Sequence, residues 1–187
     1  LVVASHADAD HVEGLATVLR EVPVAALAYG GAAPGKAVWD RLIEVARAEG
    51  VPSLRLMRGQ RLAFGDAELH VLHPGAGAAA STNDDSVALR IDWRGRPWAL
   101  LLGDLSSAVE VRLAIPPADV LVAPHHGSPH STSAALLRAA GPRTVAVSVG
   151  ANRYGHPAPE VLRRVREAGA EVRRTDRDGA IRLSPTW

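Results

Sequence analysis

Apolar and polar positions along the chain fall into blocks short enough to be read one at a time. Residues 1–4 are an apolar run that breaks into a polar cluster, the pattern of a buried strand. Residues 12–21 carry helical spacing. Residues 24–29 are a second apolar strand, stopped by Gly30-Gly31, and residues 34–49 a second helix, stopped by Gly50 and Pro52. Residues 61–64 and 68–73 predict short strands about the Gly65-Asp66 turn, and residues 74–80 a loop of small residues. Residues 86–93 and 98–102 predict a hairpin around Arg94-Gly95-Arg96-Pro97. Residues 119–123 and 144–149 read as buried strands, 132–140 and 157–168 as helices, and 171–174 with 180–183 as a closing hairpin.

This order, strand–helix at both ends and antiparallel hairpins between, predicts a layered α/β fold with a mixed sheet or two sheets. The polar clusters follow the apolar strands, after Ala4, Leu102, Ala123 and Val149. The carboxyl ends of strands are where α/β proteins place their chemistry.

Composition changes this picture little. A chain of 187 residues suits a single domain, residues 1–187, and 47% hydrophobic with 22% charged residues is ordinary for a globular protein. A net charge of +1 demands no anionic partner, although residues 153–182 are locally rich in arginine. The absence of cysteine removes disulfides, thiolate metal sites and cysteine nucleophiles. No apolar run is long enough to span a bilayer, and Leu1 opens an apolar strand with no signal-peptide pattern before it.

The candidate chemistry is concentrated in five stretches. Ser5-His6-Ala7-Asp8-Ala9-Asp10-His11 offers two imidazoles and two carboxylates between a strand and a helix. In an extended stretch His6, Asp8 and Asp10 share a face, and His11 turns in as the helix starts. That mixture of donors suits zinc, manganese or iron(II). A helix cap with an acidic first turn accounts for one Asp but not for the set. Asp104, at the end of a buried strand, is placed to be shared by two metal ions, although a Gly-Asp turn explains it alone. In Pro124-His125-His126-Gly127-Ser128-Pro129-His130-Ser131, adjacent histidines point in different directions. One of His125 and His126 is then a ligand, and the other orients it or meets substrate. Gly127 lets the backbone approach a ligand closely. His130 precedes a plausible helix cap at Ser131-Thr132, and Pro157 suits the first turn of a helix after His156. Asn83, before Asp84-Asp85-Ser86, is a weak ligand, a substrate contact or an ordinary Asx turn. His70 and His73 read as structural.

In this order the residues resemble the metallo-β-lactamase superfamily, whose His-x-His-x-Asp-His motif is followed by a further His, an Asp and a last His. Here Asp8 stands for the second His and Asn83 for the next, which leaves an oxygen-rich first site friendlier to manganese. With those departures the chain is similar to the ComEC family of DNA-uptake proteins, in its C-terminal domain. The similarity is most specific in Gly150-Ala151-Asn152-Arg153-Tyr154-Gly155-His156-Pro157 and in residues 174–180. The resemblance implies an αββα sandwich of two mixed sheets flanked by helices, with strands upstream of Leu1 that this chain lacks. It implies two divalent ions, Mn²⁺ or Zn²⁺, with His6, Asp8, Asp10, His11, Asp104, His125 and His126 as the metal residues. Asp10, His130 and His156 are the candidate catalytic residues, and Asn83, Ser128 and Arg153 the candidate substrate contacts. The implied activity is metal-assisted hydrolysis of the non-transported DNA strand at the outer face of the cytoplasmic membrane, beside a transmembrane channel of the same parent protein. Binding to single-stranded DNA should then be sequence-tolerant and salt-sensitive. Two other functions fit the same residues: a hydrolase of small phosphodiesters or other esters, and a non-catalytic DNA-binding module with a vestigial metal site.

Overall fold

The structure is a computed structural model that describes residues 1–77 and 82–185. Residues 78–80 of the expected small-residue loop lie outside the described residues. The chain divides into two compact units, Leu1–Gln60 with Val71–Ala88, and Arg61–His70 with Leu89–Trp187.

The first unit opens with β1 (Val2–Ala4) and α1 (Ala9–Glu21), followed by β2 (Leu27–Tyr29), α2 (Ala37–Ala48) and β3 (Ser53–Arg55). The strands form a three-stranded sheet in the order β1-β2-β3, parallel in both pairings. Short apolar strands joined through helices leave no other simple pairing, because parallel neighbours need a crossover. Val12, Ala16 and Leu19 of α1 and Trp39, Leu42, Val45 and Ala46 of α2 recur at helical spacing and pack with Ala4 and Leu27 into one core. Trp39 meets Tyr29 edge to face at 5.1 Å. A single 3-10 turn, Asn83–Asp85, is closed by a capping box between Thr82 and Asp85.

The second unit is built on a seven-stranded sheet, ordered β10-β9-β8-β7-β6-β5-β4. β4 (Arg61–Phe64) and β5 (Ala67–His73) pair antiparallel, as do β6 (Ala88–Trp93) and β7 (Arg96–Leu101). The last three residues of β5 and the first of β6 belong to the first unit. The turn between β6 and β7 is tighter than its sequence suggested. Arg94 and Gly95 both take positive φ, 50° and 76°, as a two-residue hairpin turn requires, and Arg96 already starts β7.

After β7 come α3 (Ser107–Glu110), β8 (Val120–Val122), α4 (Ala134–Ala140), β9 (Thr144–Val147), α5 (Pro159–Glu167), β10 (Glu171–Arg174) and α6 (Thr175–Asp178). β7 through β10 run parallel to one another. Leu100, Leu121 and Val145 lie side by side along these strands, each fully buried. Truncating one of them to Ala should cost about 2–5 kcal/mol.

Three expectations change here. The closing hairpin does not form among the described residues: residues 180–183 carry no strand, and β10 turns into α6. The reason is local. Asp178 accepts the Arg174 N–H at 2.8 Å and Asp176 pairs with the Arg174 guanidinium, so the turn is satisfied without a return strand. The helix after the histidine pair is capped by Ser133, whose Oγ accepts the Leu136 N–H at 3.1 Å, rather than by Ser131-Thr132. The last long helix starts at Pro159, so Pro157 lies outside it.

Candidate functional site

In the first unit the chain leaves β1 and bends at His6-Ala7, so the strict alternation expected of an extended stretch is lost. Asp8 occupies the N-cap of α1 and Asp10 is already in the first helical turn. The bend and the helix arrange two pairs. His6 Nε2 stands 3.6 Å from an Asp8 carboxylate oxygen, and His11 Nε2 stands 3.6 Å from one of Asp10. The His6 and His11 rings tilt toward each other with centroids 4.3 Å apart. Two serines order them. Ser5 Oγ is 3.2 Å from Nδ1 of both histidines, and Ser86 Oγ is 3.2 Å from Nδ1 of His6. His6 and Ser86 are fully buried. Hydroxyls at Nδ1 fix the ring orientation and leave Nε2 on the carboxylate side. Asn83 heads the turn that delivers Ser86, and its carbonyl accepts the Ser86 N–H.

Asp8 is an N-cap in position only. Its side chain makes no capping hydrogen bond, and its Oδ1 instead accepts Lys36 Nζ at 2.8 Å. Burial raises the Asp8 pKa, but the Lys36 hydrogen bond and the charges of His6, Lys36 and His11 outweigh it and hold the carboxyl below its ordinary range. Lys36 escaped the sequence reading. Its only signal was being the sole lysine of the chain.

In the second unit Asp104 follows β7 and is buried at 5% exposure. One of its oxygens lies 3.7 Å from His125 Nε2 and 3.9 Å from His126 Nε2. Both neighbouring histidines therefore face the same carboxylate, contrary to the expectation that they diverge. The cause is the backbone. His125 and His126 both adopt the left-handed region, at φ 49° and 54°, which undoes the ordinary alternation of side chains. The His125 N–H donates to Gly103 O at 3.0 Å, tying this turn to the residue before Asp104. His126 Nδ1 donates to Ser148 O at 2.8 Å, which leaves its Nε2 as the ring's acceptor.

Gly127 has φ +78°, and a Cβ built on it would lie 2.7 Å from Pro157 Cβ. The close approach that needs glycine in this structure is to Pro157. It brings residue 156 beside the pair, with His156 and His125 ring centroids 5.6 Å apart. Burial, followed by the charges of His125 and His126, pushes the His156 pKa below its ordinary value. Neutral imidazole is the favoured form there.

Ser128 is 2% exposed and its Oγ accepts the His130 N–H at 3.3 Å, which supports the turn. His130 itself is exposed, with its carbonyl held by the Ser107 N–H at 2.8 Å. Arg153 is exposed and its guanidinium lies 5.4 Å from the Tyr154 ring centroid. The arginine-rich C-terminal stretch is less available to a polyanion than its composition suggested. Arg163, Arg173 and Arg174 pair with Glu167, Glu171 and Asp176, and Arg164 donates to Ser131 O.

Glu110 was also missed. Its buried carboxylate accepts the Thr132 and Ser133 N–H groups at 2.7 and 2.9 Å, holding the turn from the histidines into α4. Such partners are distant in sequence and carry no local pattern. His70 and His73 have structural surroundings. His70 sits 3.1 Å from Asp92, which Arg90 also pairs at 2.7 Å, and His73 Nε2 donates to Asp84 O at 3.0 Å.

The donor atoms fit a divalent cation. The four imidazole–carboxylate separations of 3.6–3.9 Å exceed hydrogen-bonding distance. They lie close to the roughly 3.4 Å edge of a tetrahedron whose ligands stand about 2.1 Å from the ion.

Comparison with known proteins identifies the fold. The chain superposes on Igni18, a metallo hydrolase from Ignicoccus hospitalis, with a TM-score of 0.58 and 14% identity over 94% of this chain and 75% of that one. It superposes on CmlA, a diiron β-hydroxylase from Streptomyces venezuelae, with a TM-score of 0.59 and 15% identity over 93% and 43%. For the metallo-β-lactamase fold protein YhfI of Bacillus subtilis the values are 0.53 and 14% over 94% and 74%. The chain thus has the metallo-β-lactamase fold, an α/β fold used by metal-dependent hydrolases.

In sequence it is 34% identical over 184 residues to ComE operon protein 3 of Bacillus subtilis (strain 168), covering 96% of this chain and 24% of that protein. It is 31% identical over 187 residues to Competence protein ComA of Neisseria gonorrhoeae, covering 97% and 24%. No family model matches the chain. It is thus similar over nearly its whole length to these competence proteins and spans about a quarter of their length.

Proposed function

We propose that this chain is the metal-dependent nuclease portion of a ComEC-type protein, hydrolysing phosphodiester bonds of the DNA strand that is not taken up. The observation that carries the reading is the convergence of His125 and His126 on the buried Asp104, imposed by two left-handed residues. Non-glycine residues in that region cost free energy, and such strain collects at functional sites.

In the first unit His6, Asp8, Asp10 and His11, with Asn83 as a weak partner, would be the ligands to a divalent ion, and in the second unit Asp104 and one of His125 and His126 would be. Mn²⁺ and Zn²⁺ suit this nitrogen–oxygen set. When bound, such ions supply a Lewis acid that offsets charge on phosphoryl oxygens and makes water a better nucleophile.

The chain's own residues hold the histidines in place through Ser5, Ser86 and the Ser148 carbonyl, and move the leaving-group proton through His156 or His130. The depressed pKa of His156 means that an anionic substrate must first favour its protonated form; a phosphodiester nearby does so. Arg153 meets the phosphate backbone. The location at the outer membrane face and the transmembrane partner are carried by the relatives' family alone. Among the described residues no helix is long and apolar enough to cross a membrane.

The test is hydrolysis of single-stranded DNA and of a small phosphodiester by the purified chain with added Mn²⁺ or Zn²⁺. DNA cleavage that disappears in Asp10→Ala and Asp104→Ala is expected. Cleavage of the small ester only would make the chain a small-molecule phosphodiesterase, and DNA binding without turnover would make the metal residues vestigial.

A further inference from the structure

Tyr154 is 68% exposed, on a loop that a single side chain holds through four hydrogen bonds. Asn152 pins the loop. Its Nδ2 donates to Gly150 O and His156 O at 2.9 and 2.8 Å, and its Oδ1 accepts the N–H groups of Tyr154 and His156 at 3.1 and 3.0 Å. The Tyr154 ring lies within 25° of parallel to His156 at 5.8 Å, and His156 is 5.6 Å from His125. Arg153 is 5.4 Å from the same Tyr154 ring. A displayed aromatic face, a guanidinium and a histidine beside the Asp104 cluster thus sit on one braced loop.

We propose that Tyr154, with Arg153, is a stacking platform for a nucleobase next to the scissile phosphate, which makes the substrate a base-bearing single strand. The proposal rests on the hydrolase reading for the role of His156, but the platform itself is a binding site. Stacking suits the geometry because every base offers a π face, so recognition is independent of sequence. Arg153 leaves the ring for the adjoining phosphate when the base arrives. A duplex keeps its base faces covered, so a single strand is preferred. An exposed ring whose only purpose was packing would gain more by burial.

The experiment is a binding cycle with the full 187-residue chain, followed by fluorescence anisotropy in metal-free buffer so that turnover plays no part. The probes are a short labelled single-stranded oligonucleotide and its abasic counterpart of equal length and charge. Tyr154→Ala should weaken binding of the base-bearing strand about tenfold or more and leave the abasic strand bound as by the wild type. Tyr154→Trp should restore the loss. Equal weakening on both strands, no weakening on either, or no binding of the base-bearing strand by the wild type would overturn the proposal. Failure of the hydrolase reading shows itself separately, as lack of metal uptake and turnover with the binding cycle intact.

Discussion

At Asp8 a carboxylate serves a lysine where the site's chemistry asks for a metal. Lys36 Nζ is 2.8 Å away, and its charge opposes a divalent ion placed on the same oxygen. Lys36→Met should therefore raise Mn²⁺ affinity about tenfold, read by calorimetric titration; unchanged affinity would mean that the ammonium swings clear when metal binds. The pair also has a pH signature. A carboxyl whose folded pKa is depressed stabilises the fold above its unfolded value, about 3.9, and loses that contribution as pH falls through the folded value. The stability advantage of the wild type over Asp8→Asn, from urea midpoints, should hold near neutrality and shrink only below about pH 4; an advantage independent of pH would refute the assignment. His156 is tested by leaving group. His156→Gln should slow hydrolysis of a DNA phosphodiester about 10²–10⁴-fold and that of an activated nitrophenyl ester far less. Equal losses on both would remove it as the proton donor.

Among the elements, the turn from β8 to α4 carries the most constraint. His125, His126 and Thr132 all have positive φ, and Glu110 holds the far end of the turn through two backbone N–H groups. Glu110→Ala leaves both donors buried and unmet, and should cost about 2–4 kcal/mol in chemical denaturation. Gly127→Ala meets both a strained φ and Pro157, and should lower stability and metal affinity together. These outcomes mark how far the sequence could be read. The strand and helix blocks were legible because their spacing is a consequence of burial, and the clusters at strand ends were legible because carboxylates and imidazoles rarely gather without cause. The left-handed pair His125-His126 was not legible, since L-residues carry no local sign of positive φ. Nor were Lys36, Ser86 and Glu110, whose partners come from other elements. The expected hairpin at residues 180–183 does not form because Asp176 and Asp178 satisfy Arg174 locally, a pairing that carries no spacing signal.

For the whole molecule, the fold is that of the metallo-β-lactamases, and the sequence is similar to competence proteins of which it spans about a quarter of the length. What distinguishes the hydrolase reading, whatever its substrate, from a vestigial site is occupancy by divalent ions. The most direct measurement is the metal content of the purified 187-residue chain after equilibration with Mn²⁺ or Zn²⁺, by elemental mass spectrometry, for the wild type and Asp104→Ala. The account predicts a pair of ions retained by the wild type and loss of at least one on removing Asp104. A wild-type chain that retains no ion, or an Asp104→Ala chain that retains as many, would contradict it.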